Sequence, residues 1–284
     1  MARAAERLRP VLLLAPGALL LGGFFFAPMG IMLAYSVYRF VPGGQQVRDF
    51  VLDNYARFVL DAFYRSILLD TLLLGLAVTA GSLVLSYPLA YTVARSRSRW
   101  KGVLVVIVLV PLMTSVVVRS YGWMILLARN GLVNAALEAL GLSPVKLLFS
   151  FTGTVIALIE VLMPFMVLTL VGTLQNVDPA LEEAARSLGA GRWRVFRDVV
   201  LPLSLPGAAA GSLLVFALSI SAFATPKLVG GATTKVVATV VYDQAVNVLD
   251  WPFAAAISFI LLVLVLGLTV VQDKLLARTR RWVG

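Results

Sequence analysis

The chain alternates long apolar runs with short polar segments along most of its length. A helix that crosses a bilayer needs about 20 predominantly apolar residues, and six runs satisfy that requirement. They predict membrane spans at 11–33, 66–93, 103–127, 151–174, 203–225 and 252–271. The pattern therefore predicts an all-α membrane protein whose six transmembrane helices form a single transmembrane domain over residues 1–284.

Two of these runs differ from a simple span. The first follows an arginine-rich N-terminus, as a cleavable signal does, but its apolar character continues to Leu33. That length exceeds an ordinary signal core, so we predict an uncleaved first span. The third run contains Pro111 and Arg119, which makes lipid exposure along its whole length implausible. The same residues also fit a span from 103 to about 118 followed by a short outer helix.

The composition indicates that lipid surrounds much of the chain. Apolar residues make up 60% of the sequence, charged residues make up 13%, and the mean hydropathy is +0.94. Soluble domains average roughly 25% charged residues. The chain has no Cys and no His, which excludes zinc held by those residues, thiol nucleophiles and histidine base catalysis. We therefore expect neither a metal site nor an enzyme active site.

The formal net charge is +10, and the basic residues concentrate in alternate connections between the predicted spans. They are densest in the N-terminal segment, in 94–102, in 175–200 and in 272–284. Cytoplasmic connections carry the excess of Lys and Arg, so both termini are predicted to be cytoplasmic. The charge thus indicates topology and contact with membrane lipid, and it does not support nucleic-acid binding.

The connection 175–202 has the pattern of two short amphipathic helices. Asp178 is placed to cap a helix that starts at Pro179, and Gly189 is placed to end it in a left-handed conformation. The first helix has an apolar stripe and a charged face, formed respectively by Leu181, Ala184, Ala185 and Leu188 and by Glu182, Glu183 and Arg186. A second short helix is predicted before Pro202 opens the fifth span. Such a pair either lies on lipid headgroups or docks against a partner.

The same connection carries a family signature. Glu183-Ala184-Ala185, Gly189, Val199 and Leu201-Pro202 match the "EAA" pattern, and the chain thereby resembles the permease subunits of binding-protein-dependent ABC importers. Further stretches are similar to the polyamine (spermidine/putrescine) subfamily. They are RSYGW at 119–123, RNGLVN at 129–134, MPFM at 163–166, TPKLVGG at 225–231 and DWP at 250–252.

The resemblance implies a type I ABC importer permease fold, called MetI-like, in a multi-pass protein of the bacterial cytoplasmic membrane. It implies that the 178–189 helix couples the pore to a separate ATPase through Glu182, Glu183, Ala184, Ala185, Ser187, Leu188 and Gly189. The implied partners are a second homologous permease subunit, an ATPase dimer and a periplasmic or lipoprotein solute-binding protein. Since the chain has no G-x-x-x-x-G-K-[ST] phosphate loop, we expect ATP and Mg²⁺ to bind the ATPase and no cofactor to bind this chain.

Glu160 lies near the middle of the fourth predicted span, where a carboxylate is costly and usually has a function. Three interpretations remain open: contact with a cationic solute, pairing with Arg119 or another polar side chain, or a neutral acid packed between helices. The other candidate solute-path residues are Tyr121, Trp123, Ser221 and Tyr242. Aromatic rings bind cations, but interfacial anchoring and helix packing explain these residues as well.

Two classes of transporter fit these observations. The first is the pore subunit of an ATP-driven importer for a small solute. By resemblance the solute is a polyamine or another organic cation, and iron complexes, amino-acid-like compounds and phosphonates are alternatives. The second is an ion-coupled secondary transporter, which should show an inverted repeat and coupling carboxylates in paired spans. Glu160 is the deep carboxylate in these runs, which favours the importer.

Overall fold

The computed structural model describes the backbone of residues 2–41, 45–47, 49–96 and 99–280, and the side chains of 14–41, 49–96, 99–271 and 274. The predicted cytoplasmic positions 97–98 and 281–284 lie outside the described residues. The chain forms two compact units. One consists of Met1–Ala62 and Val241–Leu262, and the other of Phe63–Val240 and Val263–Gly284.

The first unit begins with a long helix and a hairpin. Its N-terminal elements are α1 (Ala2–Ser36), β1 (Arg39–Val41), β2 (Gln45–Val47) and α2 (Asp53–Leu60). The strands pair antiparallel, with Arg39 opposite Val47. The buried amide of Asn54 donates to the carbonyls of Ser36 at 2.9 Å and Tyr38 at 3.0 Å. It thereby satisfies carbonyl groups that the end of α1 leaves without helical partners.

The second unit contains most of the remaining helices. They are α3 (Ala62–Arg95), α4 (Lys101–Met113), α5 (Val116–Leu127), α6 (Leu132–Ala139), α7 (Phe151–Gln175), α8 (Pro179–Ser187), α9 (Arg192–Val195) and α10 (Leu201–Ile220). π-Helical turns cover Phe196–Val200, Pro226–Gly230 and Asp243–Val248. Two further helices, α11 (Val237–Tyr242) and α12 (Trp251–Arg280), have residues in both units.

The helices correspond to four of the predicted spans with little change. Positions 11–33, 66–93, 151–174 and 252–271 lie inside α1, α3, α7 and α12. By length and composition, five helices of the described chain can cross a membrane. A sixth span is obtained if the bent pair Lys101–Met113 and Val116–Ala139 counts as one.

The predicted span 103–127 is wrong as a single helix. It breaks at Thr114 and Ser115, whose backbones are extended, and the two parts are bent by 99°. The alternative, one helix followed by a short second helix, matches α4 and α5, but the break lies at 114–115 and not near 118. Pro111 lacks the N–H that a continuous helix needs, and α4 ends within a turn of it.

The predicted span 203–225 starts inside a helix and extends five residues past its end at Ile220. Helical structure runs without interruption from Arg192 to Ile220, so the second short helix predicted in the 175–202 connection is continuous with the helix of the span. Pro202 removes the donor that would bond to the Asp198 carbonyl. The π-helical turn Phe196–Val200 lies directly before it, as expected where a helix accommodates a missing bond.

α7 and α10 pack closely in the second unit. Gly207 faces Thr173, and a Cβ atom added at Gly211 would lie 2.7 Å from the sulfur of Met166. These two glycines form a G-x-x-x-G pattern, which lets helix backbones approach closely in membranes. The core beside this contact contains Leu158, Met166, Leu170 and Leu174 from α7 and Ala208 and Val215 from α10.

Candidate coupling and solute sites

α8 is a short helix with well-defined ends. Its N-cap Asp178 accepts a hydrogen bond from Ala180 N at 2.9 Å, and Pro179 occupies the first turn. Gly189 has φ +83°, donates to the Arg186 carbonyl at 2.9 Å, and is followed by a 3.1 Å bond from Ala190 N to the Ala185 carbonyl. These bonds make the Schellman motif. The predicted cap and the predicted left-handed glycine are both confirmed.

Most of the surface of α8 is exposed. Leu188 is 90% exposed and Leu181 is 48% exposed, and Glu183, Ala184 and Ser187 are exposed with them. Ala185, by contrast, is half-buried and packs against the core of the second unit. The predicted apolar stripe is therefore divided, with Leu181, Ala184 and Leu188 facing outward and Ala185 facing inward.

Glu182 is buried, contrary to its predicted place on an exposed charged face. The residue is 3% exposed. Its carboxylate accepts hydrogen bonds from Arg95 Nε at 2.7 Å, Tyr91 Oη at 2.7 Å and Arg186 at 3.1 Å. An ion pair with good geometry and further donors offsets the cost of removing a carboxylate from water. Glu182 therefore anchors α8 to α3.

Glu160 lies beside a cavity of about 440 Å³ in the second unit. Its carboxylate accepts from Arg119 at 3.4 Å and from the indole N–H of Trp123 at 3.2 Å. Arg119 and Trp123 are four residues apart on α5, so they lie on the same face of that helix. The cavity wall is otherwise mainly apolar, with residues from α3, α4 and α7 such as Leu89, Ile107 and Met163.

Of the interpretations of Glu160, the structure shows the pairing: Glu160 forms an ion pair with Arg119. The Glu160 side chain is still 33% exposed, whereas the Arg119 side chain is 11% exposed. Arg119 Nε is buried without a hydrogen-bond partner among the described residues. The pair is thus incompletely satisfied, and the carboxylate remains accessible from the cavity.

The other predicted solute-path residues do not all lie beside Glu160. The structure places Trp123 at Glu160, but among the described residues no hydrogen bond joins Tyr121 or Ser221 to Glu160. Tyr121 is exposed, and the Ser221 hydroxyl donates to its own helix at the Ala217 carbonyl, at 2.8 Å. Tyr242 lies in the first unit and is exposed.

Two features of the site are not among the sequence predictions. The basic segment 94–102 is a topology signal in the sequence, yet Arg95 in that segment binds Glu182 and the end of α7. The sequence signal for this role is a basic residue two positions after the end of the predicted span 66–93. The G-x-x-x-G pattern at Gly207 and Gly211 was visible in the sequence as well.

Comparison with known proteins places this geometry in a family. The family described as binding-protein-dependent transport system inner membrane component matches residues 82–281. The spermidine/putrescine transport system permease protein PotB of Escherichia coli K12 is 38% identical over 221 residues, covering 77% of this chain and 80% of that protein. PotB of Haemophilus influenzae is 30% identical over 256 residues, covering 89% of this chain and 87% of that protein.

A solved structure shows the same fold. A chain in the crystal structure of a bacterial alginate ABC transporter, in complex with alginate pentasaccharide-bound periplasmic protein, superposes with a TM-score of 0.79 at 18% identity. The superposition covers 98% of this chain and 97% of that chain. The MetI-like fold is therefore confirmed, and the chain is mostly helical as predicted, with one short hairpin, β1 and β2, in addition. The chain belongs to the family of binding-protein-dependent transport system inner membrane components, and it is a multi-pass permease subunit of an ABC importer in the bacterial inner membrane.

Proposed function

We propose that this chain is a pore subunit through which an ATP-driven importer moves a polyamine or another small organic cation into the cytoplasm. One observation carries the proposal that the importer is ATP-driven. The capped helix α8 exposes two apolar side chains, Leu181 and Leu188. Exposed apolar side chains on a well-ordered helix are typical of an interaction surface. Their place within the family signature supports a separate ATPase as the partner.

The coupling surface that we propose differs from the sequence prediction in two residues. Glu183, Ala184, Ser187 and Leu188 contact the ATPase, together with Leu181, and Gly189 sets the turn that holds them. Glu182 and Ala185 act from the inner side of α8 instead, because the first is buried and the second is packed. ATP and Mg²⁺ bind the ATPase, and this chain transmits its motion to the spans.

A cation-selective step at Glu160 is the second part of the proposal. A polyamine combines methylene segments with ammonium groups, and the 440 Å³ cavity offers an apolar wall with one accessible carboxylate. The indole ring of Trp123 lies at the same position and adds a surface for cation–π contact. Tyr121, Ser221 and Tyr242 contribute to the pore wall elsewhere. The names of the relatives that are 30% to 38% identical, which are spermidine/putrescine permeases, support this solute class.

The proposed assembly contains a second homologous permease subunit, an ATPase dimer and a periplasmic or lipoprotein binding protein. The proposed orientation places α8 and both termini in the cytoplasm. Because the chain has no native cysteine, single cysteines report this orientation directly. Gly191→Cys should resist a membrane-impermeant thiol reagent in intact cells, whereas Leu142→Cys should react. Labelling of the Gly191 position from outside would overturn the orientation.

Co-purification tests the function itself. The chain is expressed with its candidate ATPase, second permease subunit and binding protein, and hydrolysis is measured in nanodiscs with and without spermidine-loaded binding protein. We expect a stable complex whose hydrolysis rises when the loaded binding protein is added. A panel with putrescine, an iron chelate, an amino acid and a phosphonate distinguishes the solute classes. If the chain does not associate with any ATPase, the proposed function is wrong.

A further inference from the structure

The position of Glu182 within α8 is unusual. The residues around it on this helix are exposed, among them Leu181 and Glu183, yet Glu182 is 3% exposed. Burial of a carboxylate carries a large desolvation cost unless charge and hydrogen bonds compensate it. The three donors that surround Glu182 come from α3 and from α8 itself. The contact with α3 therefore fixes how α8 is attached to the membrane helices.

Arg95 makes this attachment. Its Nε donates to Glu182 at 2.7 Å, while one terminal nitrogen donates to the carbonyls of Leu174 and Val177, both at 3.0 Å. Leu174 is in the last turn of α7, where carbonyl groups lack helical partners and the helix dipole favours a cation. A single guanidinium group thus joins the end of α3, the end of α7 and the inner face of α8.

The flanking donors are less suited to carry this role. Tyr91 donates a single hydrogen bond to the same carboxylate, at 2.7 Å, and no hydrogen bond from its hydroxyl to α7 is seen among the described residues. Arg186 is on α8 itself, and its side chain is 51% exposed, so that pair is solvated and contributes little. The connection between α8 and the spans consequently depends on Arg95 more than on either neighbour.

We infer that the Arg95–Glu182 pair is a latch that makes α8 move together with α3 and α7. The inference rests on the proposed coupling function and adds Arg95 as a positioning residue, which acts through Glu182 and does not touch the ATPase. α7 carries both the carbonyl of Leu174 and, further along the same helix, Glu160. A displacement of α8 by the ATPase is therefore delivered to the helix that bears the accessible carboxylate.

The geometry requires arginine at this position. The planar guanidinium group presents Nε to the carboxylate and a terminal nitrogen to two carbonyls at the same time, whereas a lysine ammonium is a point charge that cannot reproduce this fork. Arg95→Lys keeps the charge and removes the simultaneous contacts. Glu182→Gln keeps the shape and removes the ion pair. Asp198→Asn is a matched control, because Asp198 pairs with Arg197 at the exposed surface, at 3.1 Å.

The experiment compares the three variants in the complete transporter, reconstituted with its ATPase, second permease subunit and binding protein. In Arg95→Lys and Glu182→Gln we expect normal subunit stoichiometry and basal hydrolysis, with spermidine uptake per ATP reduced about 5- to 150-fold, the range of coupling between linked sites. Asp198→Asn should retain the wild-type ratio. A spin label at Ala180→Cys in the full chain should become more mobile in both latch variants and stay unchanged in the control.

Two results would overturn the latch. The first is a normal ratio of uptake to hydrolysis with unchanged label mobility in both latch variants. The second is failure of these variants to assemble, because the pair would then be a folding element. Both results are distinguishable from failure of the coupling function. If the coupling function itself is wrong, Leu188→Asp will bind the ATPase normally. That result does not depend on the behaviour of the Arg95 variant.

Discussion

The exposed end of α8 allows a quantitative test of docking. Leu188 is 90% exposed, so truncation to alanine removes almost no packing within this chain. If the side chain is buried by the ATPase, each lost methylene-sized group costs about 0.8 kcal/mol. Leu188→Ala removes three carbon atoms, and we expect a loss of about 2.4 kcal/mol, or roughly 60-fold in Kd. Biolayer interferometry between the nanodisc-embedded complex and the isolated ATPase measures this change.

The control is a second exposed leucine outside α8. Leu140, at the end of α6, is 76% exposed, and Leu140→Ala should leave ATPase affinity within the error of the wild type. The melting temperature of the permease should be unchanged in both variants. An affinity for Leu188→Ala within about twofold of the wild type, which is less than 0.5 kcal/mol, would refute burial of this side chain in an interface.

Three further changes test other parts of the account. Gly189→Val should impair ATP-driven uptake while the spans still insert, because a β-branched residue at φ +83° costs about 1–2 kcal/mol or more; normal uptake with normal hydrolysis would contradict this. Glu160→Gln should lower spermidine uptake while assembly and basal hydrolysis persist, and unchanged uptake kinetics would exclude a cation step there. Asp250→Ala should destabilise the protein more than Asp250→Asn. Asn can still accept the hydrogen bond from Phe253 N, whereas Ala loses about 1 kcal/mol of capping. Equal melting temperatures would contradict this.

The local features of α8 could be predicted because their causes lie within a few residues. Asp178 caps the amide of Ala180, two positions away, and Gly189 closes the helix from which it follows. The burial of Glu182 could not be predicted in the same way. Its partner Arg95 is 87 positions away, and helical spacing alone places every glutamate of α8 on a polar face. Tertiary contact overrode the amphipathic pattern.

The ends of the spans also depend partly on local sequence and partly on tertiary structure. Pro111 indicated that the third apolar run is interrupted, but α4 continues through Pro111 to Met113 and the break lies at Thr114 and Ser115. The position of the proline therefore did not locate the break. Pro202 was interpreted as the start of a span, because proline suits a first turn. The π-helical turn Phe196–Val200 instead lets the helix continue from Arg192. No local pattern distinguishes these outcomes.

The pairing of Glu160 was open in the sequence for a physical reason. Arg119 is unusual within an apolar run and Trp123 is a candidate for cation contact, but the distance from either residue to Glu160 depends on how α5 bends relative to α4. The bend brings both side chains to one carboxylate.

Uptake by proteoliposomes tests the central claim most directly. Liposomes containing this chain, its ATPase, the second permease subunit and externally added binding protein are loaded with ATP, and the entry of radiolabelled spermidine is followed. The account predicts accumulation that requires internal ATP and binding protein, that stops when this chain is omitted, and that persists when ionophores abolish proton and sodium gradients. Accumulation by this chain alone, driven by an ion gradient and indifferent to ATP, would contradict it and identify a secondary transporter.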